Sequence, residues 1–150
     1  MILKKRFGLW VILLFCGVGF SAQAQIKVSW SVLADVEFSA QYFEEYGAEY
    51  LVPVFGPGPK AFDGKEVLVS GYFIPVSVDD MLFVLSKNPY SSCYFCGNAG
   101  PETIVELELA DRDLTRLRTD QHVTLKGVLE LNASDVEHCN YILKEAELFQ

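Results

Sequence analysis

Basic residues are scarce in this chain, 12 against 20 acidic ones, and there are only two histidines and four cysteines in 150 residues. A protein that grips a phosphate backbone needs a basic stripe, and none is present, so nucleic acid is excluded as a partner. The sequence also lacks G-x-S-x-G, H-E-x-x-H, a glycine-rich phosphate loop and a D-x-D-x-D-G calcium loop. The paired acids Asp79-Asp80 and Glu44-Glu45 fall in a turn and a polar stretch, where solvation accounts for them without acid–base catalysis. There is no low-complexity tract. Long apolar runs are missing too, apart from Phe7 to Phe20, which is short of the ~20 residues that span a bilayer.

That apolar run follows Lys4, Lys5 and Arg6 and precedes Ala22-Gln23-Ala24, the basic, apolar and small-x-small order of a secretory signal peptide. We read residues 1–24 as that signal, with cleavage after Ala24 and no stable membrane span afterwards. An uncleaved anchor is one alternative. A lipoprotein at Cys16 is another, disfavoured by the bulky Phe15 before it. Residues 25–150 are then periplasmic or secreted. They keep nine basic and all 20 acidic residues, a formal charge of −11 that serves the solubility of an exported protein.

Residues 25–62 read as an N-terminal extension packed on the main unit, with too few periodic apolar positions for a core of their own. Ser29 is placed to cap a short helix carrying Trp30 and Leu33 on one face. Tyr42 to Tyr50 has no clean period. Leu51 to Phe55 looks extended because of Pro53, and Gly56-Pro57-Gly58-Pro59 is a break. Residues 63–150 read as β: a strand over Val67–Ile74 ended by Pro75, a short one over Met81–Leu85, and a third over Ile104–Leu109. The third has Val105, Leu107 and Leu109 facing in, and Glu106 and Glu108 facing out. Leu114 and Leu117 are spaced for one helical turn. Val123 to Leu131 alternates most cleanly, and Tyr141–Phe149 closes the set.

Two strands share the phrase V-x-V/L-x-G, ending at Gly71 and Gly127. A glycine there lets a strand coil sharply at a barrel corner. Five strands with a short helix between the third and fourth predict a mainly β chain, a five-stranded Greek-key barrel of the OB type. A generic antiparallel sandwich is the alternative.

Chemistry concentrates in Cys93-Tyr94-Phe95-Cys96-Gly97. A thioredoxin-like redox pair needs a thiolate at a helix N-terminus, and Gly97-Asn98-Ala99-Gly100-Pro101 is a poor helix start. A zinc knuckle suits the glycine after Cys96. It needs two further ligands, for which Cys139 with His122 or His138 are the candidates; neighbouring His138 and Cys139 point apart on a strand. A disulfide between Cys93 and Cys96, or thiols buried under Tyr90, Tyr94 and Phe95, would simply pin the loop. Export makes the disulfide the leading reading. Cys139 also suits a buried core position, and His122 a solvated turn.

Several segments resemble a family of exported bacterial proteins, a domain of unknown function with members in Bacteroidetes and proteobacteria. They are Trp30-x-x-Leu33, Gly71-Tyr72-x-Ile74-Pro75, Ser92-Cys93-Tyr94-Phe95-Cys96-Gly97-x-Ala99-Gly100-Pro101-Glu102, Leu131-Asn132 and Asn140-Tyr141-Ile142-Leu143. The resemblance implies a small OB-like barrel in the cell envelope. Some members accompany envelope ABC transport systems linked to zinc.

The function expected from all this is an exported, non-enzymatic accessory or binding protein. Its surface is the Cys93–Cys96 loop, and its partner an envelope protein or a small ligand. Zinc binding tied to metal transport and thiol–disulfide exchange are the two alternatives.

Overall fold

The computed structural model describes residues 25–110 and 112–149; the expected signal peptide, with the expected cleavage after Ala24, and Cys16 lie outside them. Five strands close a barrel: β3 (Glu66–Ser77), β4 (Leu82–Ser86), β5 (Ile104–Leu109), β6 (Gln121–Leu131) and β7 (Tyr141–Leu148). Their order around the barrel is β3-β4-β5-β7-β6, with β6 returning to β3. All neighbours are antiparallel except β5 and β7. This is the OB-like Greek-key barrel expected from the strand pattern.

Alternation along the strands fills the interior. Val67, Val69 and Phe73 of β3, Phe83 and Leu85 of β4, and Leu125 and Leu129 of β6 are buried in one cluster. The Phe73 and Phe83 rings stack at 5.6 Å between centroids. Each such side chain stabilises the fold by roughly 1.5–3 kcal/mol of apolar burial. The two corner glycines are required by close approach. A Cβ on Gly71 would stand 2.5 Å from the Ser86 carbonyl oxygen, and one on Gly127 would stand 2.6 Å from that of Lys144.

The segment before the barrel adds to the same core through Val28, Leu33 and Phe55. Ile26 and Val28 straddle β3 by hydrogen bonds to Leu68 (Leu68 N to Ile26 O 2.7 Å, Val28 N to Leu68 O 2.9 Å). The short helix α1 (Trp30–Leu33) is anchored at both ends: Trp30 Nε1 donates to Ser70 O at 2.8 Å, and buried Tyr141 Oη donates to Leu33 O at 2.6 Å. Ser29 holds the N-cap position, but its hydroxyl bonds to Ser31 Oγ and caps no backbone N–H.

Four local expectations are corrected. Tyr42–Tyr50 is no irregular stretch: it belongs to a hairpin of β1 (Val36–Phe43) and β2 (Ala48–Phe55), a separate two-stranded sheet. Gly56–Pro59 is less a break than the start of a one-turn helix, α2 (Pro57–Lys60), because the Asp35 carboxylate accepts the Gly58 N–H at 2.8 Å. Pro75 does not end β3, which continues through a register shift to Ser77. Met81 lies in the turn before β4, at positive φ. The 112–116 segment is a 3-10 helix that delivers Leu114 to the core. Among the described residues no helix is long and apolar enough to cross a membrane.

Candidate functional site

The segment between β4 and β5 folds as three short 3-10 turns, at Tyr90–Ser92, Tyr94–Cys96 and Pro101–Thr103. Gly97 follows the second at φ +75°, the left-handed conformation glycine adopts without strain. Asn98 ties the loop across itself by Nδ2 bonds to Ser91 O and Cys96 O, both 3.3 Å. Asp120 holds its entry, accepting the Tyr90 N–H at 2.6 Å.

The cysteine pair is asymmetric. Cys93 is fully buried against Ile74 and Val84 on the outside of the barrel, while Cys96 is exposed. Both are free thiols with sulfurs 4.0 Å apart, Cys93 donating to Cys96 and Cys96 donating to Tyr90 O at 3.0 Å. Desolvation, helped by the bond from Cys93, holds the Cys96 thiol above its ordinary pKa. That is opposite to the lowered pKa of an activated thiolate. The alternative of thiols buried under Tyr90, Tyr94 and Phe95 does not describe the pair: all three rings are exposed, and Cys93 is buried against Ile74 and Val84.

Among the described residues, no group of three or more His, Cys, Asp or Glu side chains is gathered as a metal set. Cys93 and Cys96 therefore supply two donors, half of a closed tetrahedral site, and neither Cys139 nor His122 completes it. His122 is exposed at the start of β6 and packs edge-on against Tyr72. Cys139 packs against the small cluster that contains Cys93. Burial, with a contribution from the Glu106 carboxylate, pushes its thiol up to about 12.

Glu106 organises a site that the strand pattern does not reveal. It points away from the barrel interior, as expected, but loop 132–140 covers it and leaves it buried. Its two oxygens are both used, Oε1 at 2.7 Å from His138 Nδ1 and Oε2 accepting the Cys139 N–H at 2.8 Å. That bond and the attraction of the carboxylate raise the His138 pKa. Asn132 holds the loop from inside. Its Oδ1 accepts the N–H groups of Ser134 (3.2 Å) and Asp135 (2.9 Å), and its Nδ2 donates to Asp135 O (2.7 Å) and Cys139 O (3.2 Å).

Loop 132–140, strand β2 and the tip of the cysteine loop enclose a cleft of about 460 Å³. Tyr94 and Phe95 flank it, 39% and 44% exposed. Carboxylates line it at Glu49, Glu106, Asp135 and Glu137, with no lysine or arginine. The aromatic tip of the hairpin lies near the acidic loop, since Glu137 and Asp135 contribute to raising the Tyr46 pKa after desolvation and Glu45. The cysteine loop thus enters the cleft by the two residues between its cysteines. Glu106 and Asn132 were not legible as site residues: one sits in an ordinary strand alternation, the other in an ordinary turn. No protein-family model, curated protein or solved structure matches the chain in comparison, and its site is read from its own residues.

Proposed function

We propose that this protein is an exported, non-enzymatic binding module of the cell envelope, and that the cleft between β2, the cysteine loop and loop 132–140 holds its ligand or partner. The observation carrying this reading is the cleft itself. Exposed aromatic rings stand beside convergent polar groups, the composition usual for recognition sites, and the loops that form it are mounted on a rigid barrel. The export-like N-terminus and the resemblance of the Cys93–Glu102 segment to exported proteins support the compartment.

Catalysis by the thiols is disfavoured, because the exposed thiol has its pKa raised where an attacking thiolate needs it lowered, and the other thiol is buried. A disulfide between Cys93 and Cys96 would serve the same module by fixing Tyr94 and Phe95 at the cleft. Zinc at the pair needs two more donors from another molecule.

Amide shifts of the ¹⁵N-labelled protein, titrated with a fragment library, test the cleft. Shifts clustered at 49–53, 94–96 and 132–140 are expected. Shifts confined to the separate groove around Glu66, Lys126 and Glu147 would sink the reading.

A further inference from the structure

Strand β2 meets the cleft with its edge. Five consecutive residues, Glu49 to Pro53, line it. A strand that presented a face would contribute every second residue, because successive side chains point to opposite sides. Among the described residues β2 pairs only with β1, so the edge bordering the cleft is unpaired. Unpaired backbone N–H and C=O groups at such an edge are a template for another extended chain.

The surroundings specify that chain. Glu49, Asp135 and Glu137 are exposed along the cleft, and no ion pair engages them among the described residues. The one basic group, His138, is turned to Glu106. Tyr94 and Phe95 present ring faces or edges to whatever lies in the cleft, and aromatic faces attract cations. Pro53 has no N–H to donate, so pairing is confined to about four residues, Glu49 to Val52.

We propose that the cleft takes a short extended peptide segment bearing lysine or arginine side chains, which adds to the free edge of β2 as a third strand of the hairpin sheet. Backbone bonds to β2 hold the segment. Its side chains meet the carboxylates of β2 and loop 132–140 and the exposed Tyr94 and Phe95 rings that line the same cleft. This rests on the cleft being the binding site.

The test uses fluorescein-labelled pentapeptides with the purified protein, read by fluorescence anisotropy at low and high salt. One alternates lysine with valine and threonine, the second carries glutamate for lysine, and the third is the lysine peptide N-methylated at alternate residues. The lysine peptide is expected to bind at least about tenfold tighter than the other two, and to weaken with salt. Glu49→Gln with Glu137→Gln should weaken it by about tenfold at an unchanged melting temperature.

Equal binding of the lysine and glutamate peptides overturns the charge argument, and undiminished binding of the N-methylated peptide overturns the strand-addition argument. A doubled mass in sedimentation that the lysine peptide does not reverse assigns the edge to a second copy and overturns the proposal. Fragment shifts that still map to the cleft while no peptide binds leave the binding-module reading standing and remove only this inference.

Discussion

The Glu106 carboxylate and the His138 imidazole face each other at 2.7 Å across the joint between β5 and loop 132–140. A histidine whose folded pKa is raised contributes stability that is fully present below its ordinary value of about 6.5 and is lost as pH rises through the raised value. Protection of the Cys139 and Asn132 amides, corrected for intrinsic exchange, should therefore be greatest below about pH 6.5 and decline as pH rises and His138 loses its proton. In Glu106→Gln the His138 midpoint, followed by NMR, should fall back toward the ordinary value. An unmoved midpoint would show that the pair does not hold the loop.

Thiol accessibility should separate the three cysteines. Iodoacetamide at pH 8 is expected to modify Cys96 slowly and to spare Cys93 and Cys139 until the protein is unfolded, because one is buried and the other has its thiol pushed up to about 12. Mass mapping after timed quenching reads the order. Modification of Cys139 before Cys96 would contradict the packing described for loop 132–140.

The corner glycine of β3 tolerates no side chain. Gly71→Ala places a methyl against the backbone oxygen of Ser86, which cannot swing away as a side chain would. Overpacking of this kind costs about 1–3 kcal/mol, measurable as a lowered urea midpoint. A midpoint within error of the parent would mean that β4 can move off β3 freely.

Tyr141→Phe removes the donor to Leu33 O while keeping the ring against Phe55, whose centroid is 5.3 Å away. Losing that buried bond should destabilise the protein by about 1–3 kcal/mol and increase exchange at Trp30–Ala34 ahead of the barrel strands. Uniform loss of protection would instead make α1 part of the same cooperative unit.

Asn132→Ala deletes the two acceptor bonds and the donors that shape loop 132–140. Limited proteolysis should then cut between Ala133 and His138 first, with the barrel fragment left intact. Cleavage unchanged in site and rate would mean that Glu106 alone holds the loop.

The barrel was legible because β3 and β6 carry their interior residues in strict alternation, with glycines where each bends. The hairpin was not, because β1 is exposed or half-buried along its whole length and shows no apolar period. The α2 turn was hidden because the carboxylate that receives its Gly58 N–H comes from Asp35, 23 positions earlier. Glu106 was assigned to the outer face correctly, but its burial there was not legible. Strand parity decides the face, but the cover over it comes from a loop about 30 residues downstream. For the cysteines, spacing identified the pair, while the burial of Cys93 and the exposure of Cys96 depend on where β3 and β4 lie beneath them.

The bond from Tyr141 to Leu33 joins positions 108 residues apart, and this has a kinetic consequence. Folds dominated by distant pairings reach the native state in milliseconds to seconds, slower than locally paired ones, because long loops must close before any contact rewards them. Here the helix near the start of the described chain is secured by the strand near its end. The bond that fixes α1 therefore cannot form until the chain out to Tyr141 is present and β7 has joined the barrel. An early-made segment thus waits on a late-made one, and its anchoring reports that the barrel has closed.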